Sequence, residues 1–231
     1  MRHVCIFWIL LVTASFAACN NPDVESDAIF DAEALFFDYS ISGDEGSGEV
    51  TCLVQYHYGG PDGETVFLPS PASVRLDNET ITADTSQMSG AFYEVRKGIE
   101  EFEGKHSITF TDLDNRKYTE SFEFTPFRME SELEPSVRRS DLNLQFSGIK
   151  EGDAIRVLLI DTSFATDDIN EVINVQNSGI IITKERLVNV TNGPVTLQLF
   201  KEEEREIKNT PKGGGKLSVT YGLSKEFDLI D

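Results

Sequence analysis

The sequence predicts an all-β protein: two tandem β-sandwiches behind a leader that is cleaved off. Three observations carry this. Short runs alternate polar and apolar residues, as in Glu49–Tyr58 (EVTCLVQYHY), which is the two-residue period of a half-buried strand. Clusters of Gly, Pro, Asn and Asp separate these runs at the close intervals of sandwich turns. Beyond the leader, no long stretch repeats apolar residues with a helical period.

Residues 1–18 form the leader. Arg2 and His3 give a positive start, residues 4–16 are almost wholly apolar, and Ala17-Ala18 precede Cys19. The apolar run is shorter than the ~20 residues a spanning helix needs, so a cleaved signal fits better than a span. Phe16-Ala17-Ala18-Cys19 resembles the bacterial lipoprotein cleavage motif, with Phe16 standing where an aliphatic residue is usual. The resemblance implies diacylglycerol on the Cys19 thiol, with further acylation, and residues 19–27 as a lipidated stem. An ordinary signal-peptidase site with an incidental cysteine is the alternative. Asp23 and Glu25 after the cysteine resemble the export signals of Bacteroidota surface lipoproteins, which leaves a surface-exposed or a periplasm-facing position at the outer membrane open.

The first sandwich is expected over 28–127. Residues 28–39 read as an opening strand with a short helical turn before it, and Ser42–Gly48 as a loop. In Glu49–Tyr58, Val50, Cys52, Val54 and Tyr56 share the core face, with His57 opposite. Gly59–Gly63 breaks that strand. Strands follow at Thr65–Leu68, Ser73–Leu76 with a turn at Asp77-Asn78, Thr80-Ile81, and Ala91–Val95. His106–Thr111 and Tyr118–Phe124 make a hairpin in which Ile108, Phe110, Tyr118, Phe122 and Phe124 point inward. Glu120 falls on the same inward parity, which places it at the sheet's rim.

The second sandwich is expected over 128–231, after a charged stretch with a central Pro135. Leu142, Leu144 and Phe146 share a face, and Ala154–Ile160 (AIRVLLI) reads as a central strand. Residues 161–179 admit either a turn capped by Thr166 or Asp167 or a strand around Glu171–Val175. The β pattern resumes at Gly179–Thr183 and Leu187-Val188, and Val195–Phe200 alternates after the turn at Asn192–Pro194. Lys201–Glu206 reads as a charge run at the far end, Pro211–Gly215 as a loop, and Leu217–Ile230 as a hairpin turning at Gly222–Ser224.

With the leader, the phrases VRLDNETI (Val74–Ile81) and Ser107–Phe124 resemble lipoproteins of Bacteroidota built from tandem immunoglobulin-like domains. The Cys…Trp…Cys pattern of antibody domains is missing, because Trp8 lies in the leader and Cys52 has no partner once Cys5 and Cys19 are accounted for. The resemblance therefore implies a fibronectin-like or cadherin-like sandwich.

Function is less legible. A formal net charge of −20 repels nucleic acid and anionic headgroups. No phosphate-binding loop or nucleophile elbow occurs, and no cofactor is implied. Asp112, Asp114 and Asn115 crowd one hairpin tip and offer oxygens to calcium, against the plainer reading of an Asx turn. Tyr58, Phe67 and Tyr93 are candidate partner contacts, and the loops 42–48, 59–63 and 211–215 are candidate sites. The expected function is a non-catalytic binding or structural module for a protein or glycan partner. The alternative is an envelope hydrolase with a carboxylate or metal site near the domain junction.

Overall fold

The computed structural model describes residues 31–161 and 169–231. The leader, Cys19 and the stem lie outside the described residues, as do Thr166 and Asp167. Residues Asp31–Asp231 belong to one unit. Asp31 caps a single 3-10 turn (Ala32–Ala34) by accepting the Glu33 N–H at 2.9 Å.

Strands then follow in the predicted places, with three short ones added. The first half contains β1 (Leu35–Asp44), β2 (Glu49–Tyr58), β3 (Glu64–Thr65), β4 (Ser73–Leu76), β5 (Glu79–Thr80) and β6 (Ala83–Ser86). It continues with β7 (Gly90–Gly98), the one-turn helix α1 (Ile99–Phe102), β8 (Gly104–Thr111) and β9 (Lys117–Phe124). After β10 (Arg128–Met129) and β11 (Ser136–Arg138) come β12 (Leu142–Ser147), β13 (Ala154–Asp161), β14 (Ile169–Asn174) and β15 (Gly179–Ile182). Helix α2 (Lys184–Leu187) precedes the two longest strands, β16 (Gly193–Glu206) and β17 (Gly215–Ile230). The protein is all-β, as its alternation predicts. Leu187 ends a helical turn instead of starting a strand, and its side chain is buried. Of the two readings of 161–179, the strand around 171–175 is the one that β14 matches.

One sheet runs through both halves in the order β14-β13-β16-β17-β1-β2-β7-β6, with β11 on β17 and β3 on β2. Two smaller sheets, β5-β4-β8-β9 and β10-β12-β15, accompany the first and second half respectively. In the first half, Phe37 of β1 and Tyr56 of β2 meet Phe110 of β8 at 5.1 and 5.2 Å between ring centres, which closes a sandwich. Phe127 joins the halves, edge-on to Phe146 of β12 at 5.5 Å and to Tyr221 of β17 at 5.4 Å.

The last hairpin departs from its sequence reading. Lys201–Glu206 continues β16, and Gly222–Ser224 lies in mid-strand, so the turn falls at 207–214 instead. Leu217, Tyr221, Leu223, Phe227 and Leu229 are all buried, which holds β17 straight across the expected turn. Its first half, Gly215–Gly222, pairs in parallel with Phe37–Asp44 of β1. Its second half pairs with Gly193–Phe200 of β16, whose other neighbour is β13. Residues 202–222 thus complete the first sandwich, although they come after residue 128. At ~3.3 Å per residue, the 16 residues of β17 span about 53 Å.

The cores follow the predicted parity. Val50, Cys52, Val54 and Tyr56 are buried, as are Ile108, Phe110, Phe122 and Phe124, and in the second half Leu142, Leu144, Phe146, Val195, Leu197 and Leu199. Glu120 lies on the inward parity of β9, the edge strand of its sheet as the rim reading expects, and it is buried there because Arg205 of β16 pairs with it. Neither described helix, at four residues each, is long and apolar enough to cross a membrane.

Candidate functional site

Strand direction sorts the candidate residues by position along the molecule. β1 leaves the Asp31 end and reaches the middle at Asp44, and β2 returns. At the Asp31 end four connections gather. Gly59 N–H donates to Ala34 O at 3.1 Å, and Gly213 N–H to Glu33 O at 3.0 Å. The β6–β7 tip is held by Gln55 Nε2 donating to Ser89 O at 2.8 Å and by Ala91 N–H donating to Thr65 Oγ1, also at 2.8 Å. Arg116, on the β8–β9 tip, reaches Glu33 at 3.1 Å. Loops 59–63 and 211–215 therefore share this end. Of the expected loop 42–48, residues 42–44 instead continue β1, paired on both sides, and the turn at 45–48 lies at the middle, where Glu45 N–H donates to Gly222 O at 2.9 Å and the Glu45 carboxylate pairs with Lys225 at 2.7 Å.

Two of the three predicted contact aromatics are exposed at the Asp31 end, Tyr58 at 45 % and Phe67 at 53 %. Tyr93 is not among them and is corrected: it is 5 % exposed. It sits opposite Val54 on the inward parity of β7, edge-on to Tyr56 at 5.8 Å, and its hydroxyl accepts the Leu68 N–H at 2.9 Å. Burial raises the pKa of that hydroxyl, against the opposing pull of the Leu68 bond. Two residues that the sequence reading passed over join Tyr58 and Phe67: Met88, 98 % exposed on the β6–β7 tip, and Leu113, 38 % exposed on the β8–β9 tip. The signal was present. Each is a large apolar residue inside a turn cluster, QMSG and DLDN, where no sheet face can cover it.

The calcium candidate is also corrected. The Asp112 carboxylate is buried and fully engaged, accepting the N–H groups of Asp114 and Arg116 at 2.9 and 2.8 Å and Arg116 Nε at 2.7 Å. The guanidinium also lies 3.5 Å from Asp114. It thus brings the positive charge to the place a cation would take, while Asn115 turns the chain at φ 60°. Among the described residues no three His, Cys, Asp or Glu side chains are grouped to hold a metal.

The middle of the molecule, where the hydrolase alternative would place its carboxylates, consists of ion pairs. Lys201 meets Asp153 at 2.9 Å, Arg156 meets Glu202 at 2.8 Å, and Arg205 holds Glu120. Burial raises the Asp153 pKa, but Lys201 and the Lys150 N–H more than offset this and leave it lowered. His106 has both ring nitrogens engaged, Nε2 donating to Phe102 O at 2.7 Å and Nδ1 facing Asp77 at 3.0 Å, with the ring stacked on Phe102. Cys52 is buried, and desolvation, then the charge of Asp77, pushes its thiol up to about 12. At pH 7 that thiol is inert.

The end opposite Asp31 is built by 134–141, 183–192 and the last residues of β17. Arg139 ties it together, donating to Leu187 O and Asn192 Oδ1 and pairing with Asp231 at 3.3 Å. Val188 is 65 % exposed there.

No family model matches the chain, and no curated protein matches it in sequence. Among solved structures it is similar to the two-domain DIP-gamma IG1+IG2 (12 % identity, TM-score 0.24, covering 85 % of this chain and 95 % of that one). It is also similar to murine CEACAM1b (12 %, TM-score 0.21, covering 85 % and 100 %). A third is a bacterial ice-binding adhesin (10 %, TM-score 0.24, covering 86 % and 65 %). Superpositions this loose carry no argument about function, which has to rest on the chain's own residues.

Proposed function

We propose that the chain is a lipid-anchored cell-envelope protein, a non-catalytic rod of two immunoglobulin-like sandwiches that holds a protein or glycan partner away from the outer membrane. One observation carries this reading: the β16–β17 hairpin belongs to both sandwiches. A linker between domains would let them swing, whereas a hairpin paired on both sides makes one stiff body with Asp31 at one end. With the tether at Cys19, the end built by 183–192 is the one presented. The hydrolase reading lacks support from the middle of the molecule, where Glu120, Asp153 and Glu202 each hold a cation.

Site-specific photo-crosslinking in the native cell tests presentation. A crosslinking side chain at Val188 should capture one defined envelope component, while one at Glu204, exposed on β16 beside Ser218 and midway along the first sandwich, should capture none. Equal capture at both positions, or none at either, would reject the rod as a binding module. The anchor is tested separately: fatty-acid label should enter the wild-type protein and be lost in Cys19→Ala, and label retained in that variant would reject lipidation.

A further inference from the structure

The long sheet ends on β14, and this edge differs from the others in the described residues. We propose that β14 is the docking site for a second copy of this chain, whose own β14 pairs with it antiparallel about Val172. The pairing does not depend on the lipid-anchor reading above.

A terminal strand offers unpaired N–H and C=O groups to any strand that reaches them, and proteins blunt such edges by shortness, charge or a covering group. Among the described residues the other edges are blunted. Strands β3, β5, β6, β10, β11 and β15 are two to four residues long. The longer β9 is capped by side chains: Arg205 Nη2 donates to Ser121 O at 2.7 Å and Asn209 Nδ2 to Thr119 O at 3.5 Å. The part of β7 beyond β6 carries Glu94, Arg96 and Lys97, and the part of β16 beyond β13 is the acidic run Glu202–Glu206. β14 has none of these. It runs six residues, Ile169–Asn174, without proline or lysine, and its one charge is Glu171. That carboxylate lies on the inward parity, where it would oppose an added strand, but Arg186 of α2 already pairs with it.

The outward face selects the occupant. Asn170, Val172 and Asn174 are exposed there, Val172 at 55 %. About Val172 this face reads the same in both directions. A two-fold axis normal to the sheet therefore sets Val172 on its own copy and Asn170 opposite Asn174, twice over. Each amide carries donors and an acceptor, so the asparagines pair without charge. Asn170 Oδ1 accepts from Arg156 at 3.3 Å, which leaves its amide N–H groups to give. On the inward face Glu171 meets Ile173 and not another acid. A net charge of −20 opposes self-association in general, and this register brings two copies together where the local acid is already neutralised. β14 lies beside β13 in the second half, and an antiparallel copy is turned end for end. The second halves then overlap and the two Asp31 ends point away from each other. Combined with the anchor, the pair joins chains held by facing membranes.

The full chain is purified in detergent and cysteine variants are oxidised, with the wild type as background. Opposed Cα atoms of an antiparallel ladder lie about 4.5–5.5 Å apart, within the ~4.4–6.8 Å that a disulfide spans. Val172→Cys should therefore give a linked dimer. Asn174→Cys alone should not, whereas Asn170→Cys mixed with Asn174→Cys should. No linking at 172, or linking at 174 alone as strong as at 172, would overturn the pairing. Val172→Lys should turn the dimer seen in sedimentation into monomer with an unchanged circular dichroism spectrum. A wild type monomeric at every concentration, or a Val172→Lys chain that stays dimeric, would also overturn it. None of these readouts uses the lipid, so the anchor stands or falls separately. Vesicles bearing the lipidated chain should cluster, and Val172→Lys should disperse them; linked dimers without clustering would reject the facing-membrane stance alone.

Discussion

Arg116 is where residue type and chemistry most need the structure to be told apart. Three acidic or amide side chains at a hairpin tip invite calcium, yet the guanidinium four residues after Asp112 has already paired with the two carboxylates among them. Millimolar calcium should therefore leave the melting temperature unchanged, because a ligand that does not bind the native state cannot stabilise it. A rise in calorimetry would restore the metal site. The pair of buried Glu120 with half-buried Arg205 makes the opposite prediction. Arg205→Ala leaves an inward carboxylate without its partner and should cost about 1–3 kcal/mol in urea unfolding, with Arg205→Lys recovering part of it. Alkali should also weaken the fold. Burial pushes the Cys52 thiol up to about 12 and raises the Tyr39 and Tyr56 hydroxyls, so the folded chain keeps protons that the unfolded chain loses from about pH 8.5 (thiol) and 10 (phenol). The folded state then binds more protons, so stability is undiminished below pH 8.5 and falls as pH rises above it. Denaturation midpoints at pH 7, 9 and 10.5 check the sign, and Cys52→Ala should flatten the first part of the decline.

At the scale of elements, the parallel seam between β1 and β17 depends on a residue with no side chain. A Cβ on Gly43 would come within 2.5 Å of the Phe124 ring and 3.1 Å of the Tyr221 ring. Gly43→Ala should therefore cost about 1–3 kcal/mol through overpacking. Gly98→Ala, where a Cβ meets nothing within 4 Å, should stay within ~0.5 kcal/mol. Urea midpoints of the two variants separate a packing role from a general cost of losing glycine. The seam also explains why individual strands were legible and the last hairpin was not. Alternation in β2, β8, β9 and β12 is local, and each pairs with a strand named by its own pattern. In β17 the eye stops at Gly222-Leu223-Ser224 because glycine and serine usually turn the chain. Here Gly222 is small because a Cβ would meet the Phe200 ring at 2.7 Å.

For the whole molecule, sharing a hairpin implies shared stability. Residues 31–231 should unfold in a single transition, with calorimetric and van't Hoff enthalpies equal, and residues 31–127 made alone should lack a cooperative transition because β1 has lost β17. Two resolved transitions in the longer chain would reject the coupling. Of the candidate site, the sequence supplied Tyr58 and Phe67 but not their company. Met88 and Leu113 join Tyr58 only when four connections far apart in the chain meet around Asp31. Tyr93 looked equivalent to Tyr58 because aromatic character is visible in a sequence and the side of a sheet facing another sheet is not. By itself the sequence determined the β class, the parity of nearly every core residue and the expectation of a tether, since each depends on neighbours within a few positions. Only the tertiary structure decided that residues 202–222 complete the first sandwich and that Tyr58, Met88 and Leu113 share the Asp31 end. A parallel pairing of Phe37 with Gly215 has no turn to announce it, and its register is set by packing alone.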